Sequence, residues 1–324
     1  MTSEEETPLV AALIATMNRP EFVREAITSV CEQSYDPLEL VVVDASDDAR
    51  TEEVVNELKD TYPQRQFTYV HNDTPRGLPA ARNQAVSVTD AEYLAFLDDD
   101  DQWRPEKIER QMSIFQSGGD DLALVHTGYI GRDEHGSRVS SYIPEYDDFS
   151  FTDILGWNVV TTPSTVIVRR NALEAVGGFD ETLQYCADWD FYIRVARDYQ
   201  FESVSEPLVE RTYHDGSMME DLDEFFKYRA KLIEKHEPTL KAHGMADSVW
   251  KNHYRRAAET YLEAGRRVDA KNAYRASLTK AFDSRTVIAY ALSSALPGRY
   301  VLPTLNRLSR IEDRIQNLTP ALFG

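Results

Sequence analysis

Four consecutive aspartates, Asp98 to Asp101, follow directly on an apolar run ending at Leu97, with Trp103 just beyond them. Carboxylates crowded at the end of a buried strand repel one another and raise each other's proton affinity unless a cation neutralises them. Hard oxygen donors suit Mg2+ or Mn2+, ions that usually complete their shells with substrate phosphates. The residue types therefore point to a divalent cation beside a phosphorylated substrate. The bland alternative is a solvated turn in an acidic chain. Asn18, Asp44 and His71 stand at the ends of three further short segments of the same apolar kind.

Hydrophobic spacing defines the elements that must position these residues. Residues 8–16, PLVAALIAT, read as a buried strand, broken by Asn18-Arg19-Pro20 and followed by EFVREAITSVCEQ with Phe22, Ala26, Ile27 and Val30 at helical spacing. LELVVVDAS is a second strand, followed by a helix over Thr51 to Leu58. FTYVHN is a third strand, and TPRGLPAARNQAVSV is a Gly-containing loop entering a helix. Tyr93 to Leu97 is a fourth strand. Strands alternating with helices at this pace predict βαβ units, a parallel sheet and helices on both faces. Ligands of such sheets bind beyond the carboxyl ends of the strands, where Asn18, Asp44, His71 and Asp98 all fall. Further on, the pattern predicts a helix from Pro105 to Gln116, a strand LALVHTGYI, a polar hairpin around Asp133 to Gly136 and a strand STVIVRR. It then predicts a helix over CADWDFYIRVARDY with Trp189, Ile193 and Val195 inward, and a strand pair over 201–213. After about Ser217 only helices are predicted, with one tetratricopeptide-like pair in RRAAETYLEAGRRVDAKNAYRASL. The expected division is 1–216 and 217–324.

Six segments, in order, resemble the inverting nucleotide-sugar glycosyltransferases of family 2, whose nucleotide-binding α/β fold is called GT-A. They are VAALIATMNRPEFVREAITSVCEQSY, LELVVVDASDD, RGLPAARNQAV, FLDDDDQW, GGFDE and CADWDFYIRV, spanning roughly residues 8–216. The resemblance implies a GT-A-type, mostly parallel sheet with an all-helical C-terminal extension. It makes Asp98 and Asp100 the family's Asp-x-Asp pair, with Asp100 the direct metal ligand and Asp98 holding ribose or metal-bound water. Asp99 fills the variable middle position and Asp101 is a supporting carboxylate. Asp44 is implied as the acceptor for a uracil-type imide N–H, Arg82 as packing on the base or a phosphate, and Thr16 and Arg19 as part of the loop whose backbone meets the base. His214 resembles a histidine near the diphosphate and is a candidate third metal ligand. Asp188, in ADWD, matches the catalytic base, which takes the acceptor hydroxyl's proton as its oxygen attacks the anomeric carbon. In-line displacement inverts that centre, and Mg2+ or Mn2+ stabilises the leaving diphosphate. The family usually carries Glu before this Asp, whereas Ala187 stands here. Asp190, roughly 200° further round the helix, is expected as a cap or buried partner. His71 and His126 are read as structural. Trp157 and Trp189 could stack on a sugar, with core burial the better reading for Trp189.

Composition narrows the classes. The 324 residues carry 55 acidic against 35 basic side chains, a net charge of −20, which argues against nucleic-acid binding through a basic surface. Nine of the basic residues are Lys and 26 are Arg; excess acid with little Lys fits a protein kept soluble in high salt. For a salt-loving archaeal source the resemblance implies a lipid-linked glycan acceptor used in protein glycosylation, with a UDP-sugar as donor. Cys31 and Cys186 are too few for a disulfide framework or zinc cluster. The N-terminus lacks the pattern of a signal peptide, and no apolar run approaches the ~20 residues of a membrane span, so a cytoplasmic protein is expected. The tail has dense apolar residues and Arg299, Arg307, Arg310 and Arg314, so peripheral contact with the cytoplasmic membrane face competes with simple core packing. Two rival functions remain: a metal-dependent nucleotidyltransferase, for which ATMNRPE lacks a Gly-rich basic signature, and a non-catalytic nucleotide-sugar-binding protein.

Overall fold

The computed structural model describes residues 7–145, 149–214, 221–281, 283–295, 300, 301, 303 and 304. The chain divides into two compact units, Met1–Glu220 and Asp221–Gly324.

The first unit is built on one mixed sheet. Strands β1 (Val10–Thr16) and β2 (Leu38–Asp44) are almost wholly buried, which is why their sequences run apolar without alternation. Between them α1 (Pro20–Cys31) begins on a proline and buries Val23, Ala26, Ile27 and Val30 along one stripe. Each such aliphatic side chain contributes about 1.5–3 kcal/mol on full burial. Helix α2 (Arg50–Thr61) leads to the edge strand β3 (Gln66–His71), and α3 (Leu78–Ser87) leads to β4 (Tyr93–Asp98). These four strands lie parallel in the order β3-β2-β1-β4, so Thr16, Asp44, His71 and Asp98 come out together at one edge.

Beyond β4 the sheet is mixed. A three-residue strand β5 (Asp101–Trp103) and α4 (Lys107–Ser117) precede β6 (Leu122–Asp133) and β7 (Arg138–Tyr142), which form the expected polar hairpin. After α5 (Phe151–Gly156), a tight turn at Pro163–Thr165 enters β8 (Val166–Arg169), which runs antiparallel to β4 and β6. Helices α6 (Arg170–Ala175) and α7 (Ala187–Val195) follow. Residues 201–213 are not a strand pair. They belong to one strand, β9 (Gln200–Tyr213), parallel to β6 and antiparallel to β5. Its register against β6 shifts around Gly128, which pairs with Pro207, so the strand continues past the proline.

The second unit contains α8 (Leu222–Ala242), α9 (Ala246–Glu263), α10 (Arg267–Lys280) and α11 (Ser284–Ala295). It has its own core of Phe226, Ala257, Ala258, Leu262, Ala270, Tyr274 and Ala289, with small residues letting the helices approach. No helix among the described residues is long and apolar enough to cross a membrane. Arg299, Arg307, Arg310 and Arg314 lie outside the described residues.

Candidate active site

Three arginines from three elements neutralise the aspartate run. Arg82 on α3 donates from Nη2 to Asp98 Oδ1 at 2.6 Å. Arg19, in the turn after β1, sets Nη1 at 3.3 Å from Asp99 Oδ1 and 3.1 Å from Asp100 Oδ2. Arg211 on β9 places Nε 3.9 Å from Asp101 Oδ2, while its guanidinium lies against the rings of Tyr129 and Tyr213. Hydroxyls complete the set: Thr16 donates to Asp99 at 2.7 Å and Ser164 to Asp101 at 2.6 Å. Burial, reinforced by the neighbouring Asp100, still pushes the Asp99 carboxyl up to about 6. Burial likewise pushes Asp101 up to about 8, against the pull of Arg211. The arginines thus offset the charge of the run without fully offsetting the cost of burying it.

Asp188 occupies the first turn of α7 and is half-buried. Burial raises its carboxyl above the usual range and Asp98 adds to the rise; Arg82, the Trp189 N–H and Asn158 pull it back. Asn158 Nδ2 donates to Asp188 Oδ2 at 3.0 Å. Arg82 is thus a counter-charge to both Asp98 and Asp188, residues 90 positions apart (188 − 98). Helix α3 is tied to the loop before α7 to bring this about. Asn83 accepts from Phe179 N at 2.9 Å and donates to Phe179 O at 2.9 Å. Gly178, at φ +70°, leaves the room for it, since a Cβ there would come within 2.7 Å of Asn83 Oδ1.

The family model for glycosyl transferase family 2 matches residues 11–177, half of the chain and the whole aspartate run. A glycosyltransferase of Methanocaldococcus jannaschii is 30% identical over 216 residues, covering 64% of this chain and 72% of the relative. The chain belongs to glycosyltransferase family 2. Among solved structures, Staphylococcus aureus TarS in complex with UDP-GlcNAc superposes with a TM-score of 0.65 at 17% identity, covering 94% of this chain and 92% of that one. The mannosyltransferase PcManGT of Pyrobaculum calidifontis, in complex with GDP-Man and Mn2+, superposes with a TM-score of 0.59 at 19% identity, covering 94% and 81%. The fold is therefore that of the GT-A glycosyltransferases, and the protein is a glycosyltransferase.

Within this glycosyltransferase the remaining sequence-derived residues fall as follows. Thr16 and Arg19 lie at the expected strand end, with their side chains turned to the aspartates; the Thr16 carbonyl accepts Ala45 N–H at 3.0 Å. Asp44 is fully buried. Its Oδ1 accepts Ser46 N and Oγ at 2.9 and 2.5 Å, and its Oδ2 accepts the Tyr69 hydroxyl at 2.8 Å. Arg82 is buried on Asp98, with Phe179 beneath its guanidinium at 5.5 Å. His214 stacks on Phe22, ring centroids 4.6 Å apart, and sets Nε2 3.1 Å from Asp100 Oδ2. Asp190 is a buried partner of Arg194, and Trp189 is core, its indole donating to Ile154 O. Trp157 is 45% exposed.

The side chains present fit a divalent cation at Asp100 and His214. The two side chains meet in a hydrogen bond, Nε2 to Oδ2 at 3.1 Å, so an imidazole nitrogen and a carboxylate oxygen stand side by side at the end of the aspartate run, donors that would serve Mg2+ or Mn2+. No three His, Cys, Asp or Glu side chains among the described residues form a ready ligand set. A carboxylate and an imidazole leave the other positions to phosphate and water, as Mg2+ and Mn2+ accept.

Four residues of the site escape sequence reasoning: Asn158, Thr162, Ser164 and Arg211. Thr162 Oγ1 lies 3.4 Å from Asp98 Oδ2, and Ser164 Oγ accepts Asp98 N–H at 3.1 Å. The short polar run TTPS between two apolar segments was the available signal; nothing local marks Asn158 or Arg211.

Proposed function

We propose that this glycosyltransferase moves a sugar from a nucleoside diphosphate to a hydroxyl acceptor with inversion, Asp188 serving as general base. The observation that carries the reading is Arg82, whose charge acts on Asp98 and Asp188 together, so that the carboxylate run and the base share one site. A carboxylate with raised proton affinity and part of its surface open is suited to accept the acceptor's proton. Asp100 and His214 would hold Mg2+ or Mn2+, and Asp98 would meet ribose or metal-bound water. The cation, when bound, would neutralise charge on the departing diphosphate. Arg19 lies beside Asp100 and is placed to pair with a donor phosphate once a cation takes over that carboxylate. A base N–H would reach Asp44 on displacement of the Tyr69 hydroxyl. We assign the chemistry to residues 1–216. Nucleotide sugars bound by the two solved relatives support the donor class, UDP- or GDP-linked.

The test is release of nucleoside diphosphate from a panel of UDP-, GDP- and dTDP-hexoses with Mn2+, comparing wild type with Asp188→Asn. Release by wild type and its loss in the variant are expected, with an inverted anomeric centre in the product. Absence of release from every donor, or release of pyrophosphate, overturns the reading.

A further inference from the structure

Residues 158–164 touch both halves of the site. Asn158 donates from Nδ2 to Asp188 Oδ2 at 3.0 Å, and its Oδ1 accepts Thr161 N–H at 3.2 Å. The hydroxyl of Thr162 and that of Ser164 then meet Asp98, and Ser164 also binds Asp101. A backbone N–H can only donate, so the oxygen of the Asn158 amide faces Thr161 and its NH2 faces Asp188. Flipping the amide would set oxygen against carboxylate and N–H against N–H. Thr161 adopts φ +71° to aim that N–H, an outlier for a β-branched residue. Such conformations persist where the surroundings dictate them and concentrate at functional sites. The cost is compounded by the Thr161 hydroxyl, which is buried without a hydrogen-bond partner. A strained residue with an unsatisfied hydroxyl is retained here, and the contact it secures is the one to the base.

We infer that Asn158 is the positioning residue of the base: it holds the Asp188 carboxylate in one orientation and in its ionised form, through an amide whose own orientation is set by Thr161. The inference rests on the reading of Asp188 as base. Around Asp188 stand Arg82 from α3, Asp98 from β4, and Tyr192 and the Trp189 N–H from α7; the side chain that hydrogen-bonds its carboxylate is that of Asn158. A hydrogen bond to the ionised form favours that form, so its removal moves the carboxylate towards protonation.

The experiment uses the full chain with Asn158→Asp, Asn158→Ala and Asp188→Asn. Asn158→Asp is isosteric and still accepts from Thr161, so it keeps the loop while replacing the donor with a like charge. Nucleoside diphosphate release is followed from pH 4.5 to 9 with Mn2+ and the donor that wild type turns over fastest. Folding is checked by circular dichroism and by thermal stabilisation with UDP, GDP and Mn2+. Both Asn158 variants should lose kcat at least tenfold with donor KM within about twofold, and the acid limb of the kcat profile should move up by on the order of one pH unit. Asn158→Asp should move it further than Asn158→Ala. A wild-type profile and kcat in folded Asn158→Asp overturns the inference, as does a loss of kcat without a shifted profile. Retention of wild-type rate by Asp188→Asn instead overturns the base assignment, so the two failures are distinguishable.

Discussion

Replacing Arg82 by Met tests the electrostatic centre of the site. The guanidinium sits 2.6 Å from Asp98 Oδ1, with 9% of the Arg82 side chain and 27% of the Asp98 side chain exposed. Removing one partner of a fully buried pair costs about 3–5 kcal/mol, and a surface pair contributes at most about 1. With over a quarter of Asp98 still hydrated, the expected loss lies between these, about 2 kcal/mol. Methionine gives up the contact of the guanidinium with the Phe179 ring but keeps an apolar side chain of similar reach, so lost packing contributes less than the lost charge. For a unit of about 200 residues, 2 kcal/mol corresponds to a Tm lowered by roughly 4–8 °C. Differential scanning calorimetry of the full chain, following the transition of the N-terminal unit, reads this directly. A cycle with Asp98→Asn should give a coupling of about 1–2 kcal/mol, because the second substitution removes the charge the first leaves stranded. A Tm within 1 °C of wild type, or a coupling of zero, refutes the reasoning. Loss of Arg82 also removes a charge that holds the Asp188 proton affinity down, so the acid limb of transfer should move to higher pH.

Asp100→Asn should abolish transfer and the thermal stabilisation given by Mn2+ with nucleoside diphosphate, while metal-free stability changes by about 1 kcal/mol or less, since lost pairing with Arg19 and relieved repulsion of Asp99 oppose each other; persistence of the Mn2+ effect excludes Asp100 as a ligand. Asp188→Asn should retain nucleoside diphosphate affinity within about twofold and lose turnover by several orders of magnitude, checked by calorimetric titration beside rate measurement. His126 is fully buried and desolvation lowers it to about 4, so it is neutral when folded, while the unfolded chain takes up a proton near 6.5. The contribution of His126 to stability is therefore complete above pH 6.5 and falls by about 3 kcal/mol as pH drops towards 4. Because the raised carboxyls of Asp99 and Asp101 act in the opposite sense, the slope is read as the difference between wild-type and His126→Leu urea melts, wild type losing about 2 kcal/mol more than the variant between pH 7.5 and 5.

Family membership places the glycosyl-transfer chemistry in this chain, and three arginines show how the fold tolerates four adjacent carboxylates. Arg19, Arg82 and Arg211 come from the β1–α1 turn, α3 and β9, and each meets a different part of the run. A bound cation would take its place in a charge balance already partly met, beside Arg19, whose side chain is 28% exposed where that of Arg82 is 9%.

Local pattern carries much of this protein. Continuous apolar runs mark β1, β2 and β4 because both faces of those strands are covered, and the aspartates stand out because four like charges beside such a strand demand neutralisation. The order of the six segments was likewise enough to indicate the family. Other features depend on residues far apart in sequence. β5 is three residues long and exists because β9 lies beside it, pairing Asp101 with Arg211 and Trp103 with Val209 over a separation that no local periodicity records. The 201–213 segment reads as a strand pair, yet it is one strand, because the neighbouring β6 accommodates a register shift at Gly128 opposite Pro207. Asp44 is visible at its strand end, but the sequence does not say that Tyr69 already holds one of its oxygens. Arg82 reads as a residue for the donor; folding seals it against Asp98 and within reach of Asp188. Asn158 carries no local mark at all, since its part arises from facing Asp188 across 30 residues of chain. Hydrophobic period is a property of neighbours along the chain and so is written in it; which donor meets which carboxylate is decided by distance and desolvation, which exist only once the layers have packed.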